Sequence, residues 1–211
     1  MIRTLENVDH IVYAVPNLEE AISDIEKKLG VAPEPGGRHK SLGTHNALVN
    51  LGNGCYLELI AADPDNTTFS GEHWMGIDLI TQPTITRWAV KTNDLDRDIH
   101  YLREVDPRLG NIKGGTRKKP DGTKFIWKAS MPLPAPKVEI LPFIIDWKGR
   151  EHPTKSLPDA CKLIELRATH PTPYFMETAI HAMNVDIKLG VADEASITAV
   201  IESPNGVVEL T

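Results

Sequence analysis

The chain has 211 residues, a net charge of −6 at pH 7 and 41% apolar residues, which suits one large domain or two small ones. The acidic balance argues against nucleic acid or an anionic membrane as a partner, and no apolar run approaches the roughly 20 residues that span a bilayer. With two cysteines and no basic-then-apolar N-terminal pattern, the sequence predicts a cytoplasmic protein without a disulfide framework.

The first third of the chain predicts a strand, a helix and a hairpin. Residues 8–15 form an apolar strand pattern, and Asn17 caps a helix whose apolar residues recur at helical spacing until Gly30. A bend rich in proline and glycine follows. An Asn-Gly turn, the strongest short hairpin signal, then joins two predicted strands at residues 44–51 and 55–61.

A similar order of elements recurs twice more. The helices of the later units begin at Asp94 and at Thr172-Pro173. Their predicted strands are residues 84–91, 123–131, 138–147, 161–169, 196–202 and 207–210. The repeats predict an α+β fold of three β-α-β-β-type modules, which occupy residues 1–65, 84–147 and 160–211.

The first and third modules look the more alike. His10 and Glu165 each lie six residues before a proline, and Glu58 and Glu209 each lie just after an Asn-Gly turn. Glu165 and Glu209 are therefore candidates for a second pocket or for a share in a joint site. The alternative is a salt bridge to Arg167.

His10 and Glu58 are the chemically informative residues of the first module. Each is a polar residue inside an apolar strand, and side chains alternate between the two faces of a strand. If the all-apolar sets of these strands cover a helix, His10 and Glu58 both point from the other face of the sheet. A carboxylate among apolar neighbours needs a metal, a proton or a cation close by.

The chain resembles the vicinal oxygen chelate superfamily of glyoxalases, bleomycin-resistance proteins and extradiol dioxygenases. The resemblance is carried by residues 9–18 (DHIVYAVPNL) and 52–60 (GNGCYLELI). A narrower resemblance to the glyoxalase-like domain group rests on three further segments, residues 36–39 (GGRH), 43–48 (GTHNAL) and 142–147 (PFIIDW). The close match covers roughly residues 6–63, with a thinner one through residue 150.

The resemblance implies repeated βαβββ modules that form a curved mixed sheet with an open cleft. It also implies that His10 and Glu58 bind a divalent ion such as zinc, iron, nickel or manganese, with Glu165 and Glu209 as candidate further ligands. Glu58 is expected to be a catalytic residue as well, which moves protons. The expected protein is then a metal-dependent isomerase, lyase or dioxygenase that acts on a small substrate with vicinal oxygens. The middle module departs from this pattern, because it offers Ile85 or Thr86 at the position of a ligand. A metal-free binding or resistance protein and a structural dimerisation module, giving a homodimer, are the alternatives.

Further candidates surround these two residues. If Asn53-Gly54 is a two-residue turn, His45 shares the face of Glu58 and is a third ligand or a catalytic group; a one-residue change of register puts Asn46 there instead. The remaining candidates for substrate contact are Tyr56, beside Glu58, and Arg38 and His39, on the bend, which could clamp a carboxylate or form a surface turn.

Three features of the second half complete the expectations. Trp147 either packs at the edge of the core or stacks on a ligand. His152 and His170 lie beside prolines in predicted loops and are expected to face solvent. The basic run of residues 117–119 is expected to be a solvated hairpin end.

Overall fold

The computed structural model describes residues 5–118, 122 and 124–211, with only the backbone of residues 117 and 118, so the basic hairpin end lies outside the described side chains. The helices are α1 (Leu18–Leu29), α2 (Leu95–Val105) and α3 (Tyr174–Ala182). The strands are β1 (Val8–Ala14), β2 (Glu34–His39), β3 (Thr44–Asn50), β4 (Tyr56–Ala62), β5 (Thr84–Lys91), β6 (Ile112–Lys118), β7 (Lys124–Ser130), β8 (Phe143–Asp146), β9 (Lys162–His170), β10 (Lys188–Val191), β11 (Ser196–Ser203) and β12 (Gly206–Leu210).

The helix signals are confirmed at both ends of α1. The Asn17 side chain accepts hydrogen bonds from the backbone N–H groups of Glu19 and Glu20, and Gly30 ends the helix with a left-handed φ of 73°. The Asp94 side chain caps α2 in the same way, by accepting from the N–H of Arg97. Local side-chain and backbone chemistry therefore fixes where α1 begins and ends and where α2 begins.

The bend predicted after Gly30 is instead the edge strand β2. It pairs antiparallel with β3, and its register shifts between Pro35 and Gly37. Proline lacks an N–H and is tolerated on an edge strand or at a bulge, so the composition that indicates a bend also suits this strand. Strands β6 and β10 were also not predicted, and only Phe143–Asp146 of the segment 138–147 is a strand.

Eight strands form one sheet, in the order β2-β3-β4-β1-β5-β8-β7-β6. Its two halves have the same internal order, since the first strand of each half pairs parallel with the fourth. The halves join where β1 pairs antiparallel with β5. The sheet curls into a half-barrel whose edge strands β2 and β6 approach each other, which confirms the α+β class and the curved mixed sheet.

The last four strands form a second sheet, in the order β10-β9-β11-β12. Here β9 pairs parallel with the strand that follows its helix, so the expectation that the first and third modules are the more alike is wrong. The Asn-Gly turns that suggested it determine only the β3–β4 and β11–β12 hairpins. The module boundaries 1–65, 84–147 and 160–211 stay a prediction.

The alternation of side chains along β1 and β4 is confirmed. Ile11, Tyr13 and Leu57 face the helices in the main core, whereas Val12 and Ile60 belong to a second apolar cluster inside the half-barrel. His10 and Glu58 share the inner face. Within the described residues, none of the helices combines the length and apolar character that crossing a bilayer requires.

Candidate functional site

A small cavity of about 30 Å³ lies on the inner face of the half-barrel, with room for about one or two water molecules. The first half of the sheet contributes its polar side chains, and the second half together with the segment 63–83 contributes aromatic and apolar ones. The lining residues are His10, His39, Asn46, Tyr56, Glu58, Trp74, Met75, Trp127, Ala129, Phe143, Ile145 and Trp147.

Asp9 and His10 contact each other although they are neighbours on one strand. The His10 Nδ1 atom lies 2.6 Å from Asp9 Oδ1, and both side chains are buried. The pairing of β1 with β5 is irregular here, with Val8 opposite Val90 but His10 opposite Ala89. Such a bulge re-aims a side chain. Regular alternation would place Asp9 on the other face, so the sequence pattern did not identify it.

The second oxygen of Asp9 has two more partners. Asp9 Oδ2 accepts a hydrogen bond from Trp147 Nε1 at 2.9 Å and lies 3.2 Å from His152 Nε2. Burial opposes ionisation of Asp9, but the hydrogen bonds from His10 and His152 outweigh it and hold its pKa well below the usual range. The expectation that His152 faces solvent is wrong, because the link after β8 folds back and packs its ring against Trp147 and Tyr56.

Glu58 lies on the other side of the His10 ring. Its Oε2 atom is 3.6 Å from His10 Nε2, and its Oε1 atom accepts a hydrogen bond from Asn46 Nδ2. The Tyr56 ring stacks on the imidazole with centroids 4.7 Å apart, and Phe143 meets it edge-on at 5.1 Å. The imidazole is therefore fixed between two carboxylates and two aromatic rings.

The register of the β3–β4 hairpin decides between His45 and Asn46. Leu48, not Val49, lies opposite Glu58, so Asn46 shares the inner face and His45 does not. The turn contains three residues, because the Leu51 N–H donates to Cys55 O across it. The two-His-one-carboxylate set that a two-residue turn would give is not formed.

His45 and Arg38 instead line a larger groove on the helix side of the sheet, of about 740 Å³. Burial lowers the pKa of His45 there. Arg38 is paired with Asp63 at 2.5 Å and with Asp65 at 2.6 Å, so its guanidinium is already occupied by carboxylates. Volume alone would favour the groove, but the cavity gathers the buried donors and acceptors, and we place the candidate site there.

His39 lies on the opposite face of the sheet from Arg38, its neighbour on β2. Its ring lines the cavity edge-on to the Trp74 ring, 5.9 Å away, and its Nδ1 atom lies 3.0 Å from Thr44 Oγ1. The predicted clamp of Arg38 and His39 is therefore split between the two faces of the sheet. Trp74 and Met75, by contrast, come from a polar loop in which the sequence analysis placed no functional residue.

Glu165 and Glu209 do not join His10 and Glu58. They lie on the second sheet, on either side of Val200, and their carboxylates flank Arg167. The Arg167 guanidinium contacts Glu165 at 3.2 Å and Glu209 at 2.7 Å. This is the salt-bridge alternative, in which both carboxylates contact the Arg167 guanidinium and not the cavity.

The donor set of the cavity fits a divalent ion through two residues. His10 Nε2 and Glu58 Oε2 are separated by 3.6 Å, as two ligands at about 2.1 Å from one ion can be. Asp9 on the other ring nitrogen is the outer-shell partner that a ligating histidine usually has. In the described part of the chain, no group of three or more His, Cys, Asp or Glu side chains is placed to hold a metal.

The fold and the cavity define a half-barrel of the vicinal oxygen chelate type, built from two βαβββ units. The family model described as "Glyoxalase-like domain" matches residues 8–183, and the chain belongs to this glyoxalase-like domain family. No curated protein matches the chain.

One solved structure shares the fold at low sequence identity, and two others match with lower TM-scores. A hypothetical protein from Staphylococcus aureus is 12% identical, with a TM-score of 0.67 over 97% of this chain and 98% of its own. The methylmalonyl-CoA epimerase of Mycobacterium tuberculosis is 18% identical, with a TM-score of 0.38 over 66% of this chain and 85% of its own. That of Streptomyces coelicolor is 16% identical, with a TM-score of 0.41 over 72% and 99%.

Proposed function

We propose that the protein is an enzyme that binds the vicinal oxygens of a small molecule in the cavity, where they replace the one or two water molecules that fit there, and moves a proton at the His10–Glu58 pair. The observation that carries the proposal is the line of Asp9, His10 and Glu58 in an otherwise apolar, aromatic cavity. A hydroxy-ketone, a diol or a 2-keto acid would present vicinal oxygens to this pair.

Asp9 determines which ring nitrogen of His10 carries the proton. Because the Asp9 carboxylate stays ionised, it only accepts hydrogen bonds, and His10 Nδ1 must carry the proton between them. His10 Nε2 therefore faces Glu58. When His10 is neutral, Nε2 and the Glu58 carboxylate are two acceptors 3.6 Å apart, and the gap favours a cation or a substrate hydroxyl that serves both.

Asn46 and Tyr56 support the pair from the sides. Asn46 occupies Glu58 Oε1 and leaves Oε2 for the substrate or the proton. Tyr56 fixes the imidazole plane by stacking. A preorganised acid–base pair of this kind works when the proton to be moved lies within hydrogen-bond reach.

A divalent ion would be held by His10 Nε2 and Glu58 Oε2. Such an ion acts as a Lewis acid that lowers the energy of an enediolate or similar oxyanion. Two protein ligands are fewer than the three of most catalytic zinc sites, so we expect weak binding that chelating substrate oxygens strengthen. The fold hosts isomerases, lyases and dioxygenases and does not choose among them.

A metal-free binding protein is the second candidate. Among the described residues, those that the second half of the fold contributes to the cavity are Trp127, Ala129, Phe143, Ile145 and Trp147, and none of these is a metal ligand. An aromatic wall of this kind suits the sequestration of an apolar or planar molecule.

The test is the metal content of the purified protein by plasma mass spectrometry, before and after incubation with zinc, iron, nickel or manganese. The parent is compared with His10→Ala, Glu58→Gln and a matched control, Glu165→Gln, whose carboxylate lies on the other sheet. We expect bound metal after incubation with an excess of the ion in the parent and the control, and its loss in the other two variants. No metal in the parent after incubation would favour the metal-free binding protein.

A further inference from the structure

Trp74 lines the cavity and carries a buried polar group that the proposed chemistry has not used. It lies on the segment 63–83 between β4 and β5, and its side chain lines the cavity although only 8% of it is exposed. Its Nε1 atom is buried and has no hydrogen-bond partner among the described residues. Buried polar groups are nearly always paired, so this donor needs an explanation.

Two other indoles, one buried and one partly buried, show what a paired Nε1 looks like in this protein. Trp147 Nε1 donates to Asp9 Oδ2, and Trp88 Nε1 donates to Ile140 O at 2.7 Å. Thr86 Oγ1 is also buried without a partner among the described residues, but it does not line the cavity. Trp74 is thus singled out by its position beside the cavity.

The backbone holds Trp74 in this place. Met75 and Gly76 follow it with left-handed φ angles of 60° and 73°, and a left-handed conformation is strained for a residue such as methionine. The Met75 N–H donates to Leu133 O at 3.2 Å, and a Cβ on Gly76 would lie 2.5 Å from Lys137 O. The backbone is therefore locally strained at Met75, and this conformation holds Trp74 and Met75 against the inside of the half-barrel.

We propose that Trp74 Nε1–H donates a hydrogen bond to an oxygen of the molecule bound at the His10–Glu58 pair. The proposal rests on the proposed function and specifies its substrate class. An indole N–H only donates, so the ligand atom must be an acceptor. Because Asp9 and Glu58 already place two carboxyl groups in this buried region, a third carboxylate is disfavoured there. The oxygen at Trp74 is a neutral carbonyl or hydroxyl, as in a hydroxy-ketone.

The test uses the indole N–H signals of the full chain in a nitrogen-15 correlation spectrum. The chain has four tryptophans, so the Trp74 signal is assigned by its loss in Trp74→Phe. Hydroxyacetone and pyruvate are titrated separately, the first neutral and the second anionic. The Trp88 signal is an internal control, because its donor is already paired away from the cavity.

We expect hydroxyacetone to shift the Trp74 signal downfield while Trp88 stays still, and pyruvate to do so less. Trp74→Phe should bind hydroxyacetone about ten-fold more weakly, as the loss of one neutral hydrogen bond predicts. Binding that perturbs the His10 ring but leaves Trp74 unmoved would overturn the Trp74 proposal alone. A Trp74 shift that persists in His10→Ala and Glu58→Gln would support Trp74 as a ligand donor and overturn the proposed function. If neither hydroxyacetone nor pyruvate perturbs the His10 ring or the Trp74 signal, the Trp74 proposal and the proposed function would both be overturned.

Discussion

The Asp9 carboxylate is fully buried, and its oxygens are shared among His10, Trp147 and His152. Its pKa is depressed, so the ionised carboxylate is bound more strongly in the folded state than in the unfolded one. This contribution to stability is fully present above the unfolded pKa of about 3.9 and is lost as the pH falls toward the folded value.

Asp9→Asn should therefore lower the free energy of unfolding by about 1–3 kcal/mol at pH 7, since an amide cannot replace the charge-assisted bonds. The difference from the parent should shrink between pH 4 and pH 3, because Asp9 of the unfolded parent takes up a proton there while Asp9 of the folded parent stays ionised. Urea unfolding at pH 7, 5, 4 and 3 measures both effects.

Asp24→Asn is the matched control, because Asp24 and its partner Lys27 are exposed, at 65% and 72%. We expect no measurable change in this variant. An equal loss of stability in Asp9→Asn at pH 7 and pH 3 would contradict the role assigned to the Asp9 charge.

Single residues mark the limit of what the sequence could predict. His10 and Glu58 were placed on one face from the alternation of side chains along two strands, which holds in β1 from His10 onward. Asp9 was missed because a bulge breaks that alternation, and a bulge is set by the pairing with β5, not by the local sequence. Trp74 was missed because its loop has no periodicity, and only the packing of the segment 63–83 brings it to the cavity.

At the scale of elements, strand β3 separates two neighbouring residues. Asn46 faces the cavity and holds Glu58, whereas His45 faces the groove beside α1. The choice between them depended on whether the hairpin turn has two or three residues. The segment Gly52-Asn53-Gly54, whose residues all have positive φ, is compatible with either turn length, so the local sequence could not decide.

Asn46→Ala should weaken binding of the divalent ion about ten-fold or more, because outer-shell partners of a ligand tune its affinity. His45→Ala, the control on the same strand, should stay within about two-fold, as it lies on the opposite face. Isothermal titration with Mn²⁺ or Zn²⁺ measures both. A larger effect of His45→Ala than of Asn46→Ala would contradict the observed register.

A second element is the segment 131–141, which connects β7 to β8 and is held by one buried cation, Arg87. The Arg87 guanidinium donates to the carbonyl oxygens of Thr86, Leu133, Pro136 and Lys137. Burial lowers the pKa of Arg87 to about 10, so the charge persists at neutral pH. The same segment binds the backbone of Met75 beside the cavity.

Arg87→Met should lower the free energy of unfolding by roughly 3 kcal/mol, because several carbonyl groups lose a charged donor at once. It should also broaden the indole N–H signal of Trp74, whose neighbour Met75 is tied to this segment. Arg108→Met, at an exposed arginine, is the control and should leave both unchanged. A stable Arg87→Met variant would show that the segment holds itself in place.

At the scale of the whole molecule, the two halves of the half-barrel share a strand order but not a chemical role. The first half contributes the polar side chains of the cavity, and the second contributes a wall of aromatic and apolar ones. The family resemblance predicted this architecture because its motifs lie in β1, β2, β3, β4 and β8. It could not predict the arrangement of the last 50 residues, whose hairpin resembles the first module while their strand order differs. The cytoplasmic location and the homodimer stay predictions.

The second sheet gives the last prediction, that the site is complete without Glu165 and Glu209. Their carboxylates are neutralised by Arg167, and Lys188 adds a further contact to Glu165. The Lys188 bond lowers the pKa of Glu165, as expected for a carboxylate committed to a surface ion pair.

The double variant Glu165→Gln/Glu209→Gln should bind the divalent ion and hydroxyacetone as the parent does, within about two-fold, because neither carboxylate lies at the cavity. Titration calorimetry and the Trp74 indole signal are the measurements, with Glu58→Gln as the matched change inside the cavity. A loss of binding in the double variant would mean that the second sheet contributes ligands in an arrangement other than the one described. Unchanged binding would confine the chemistry to the half-barrel and leave the second sheet a structural role.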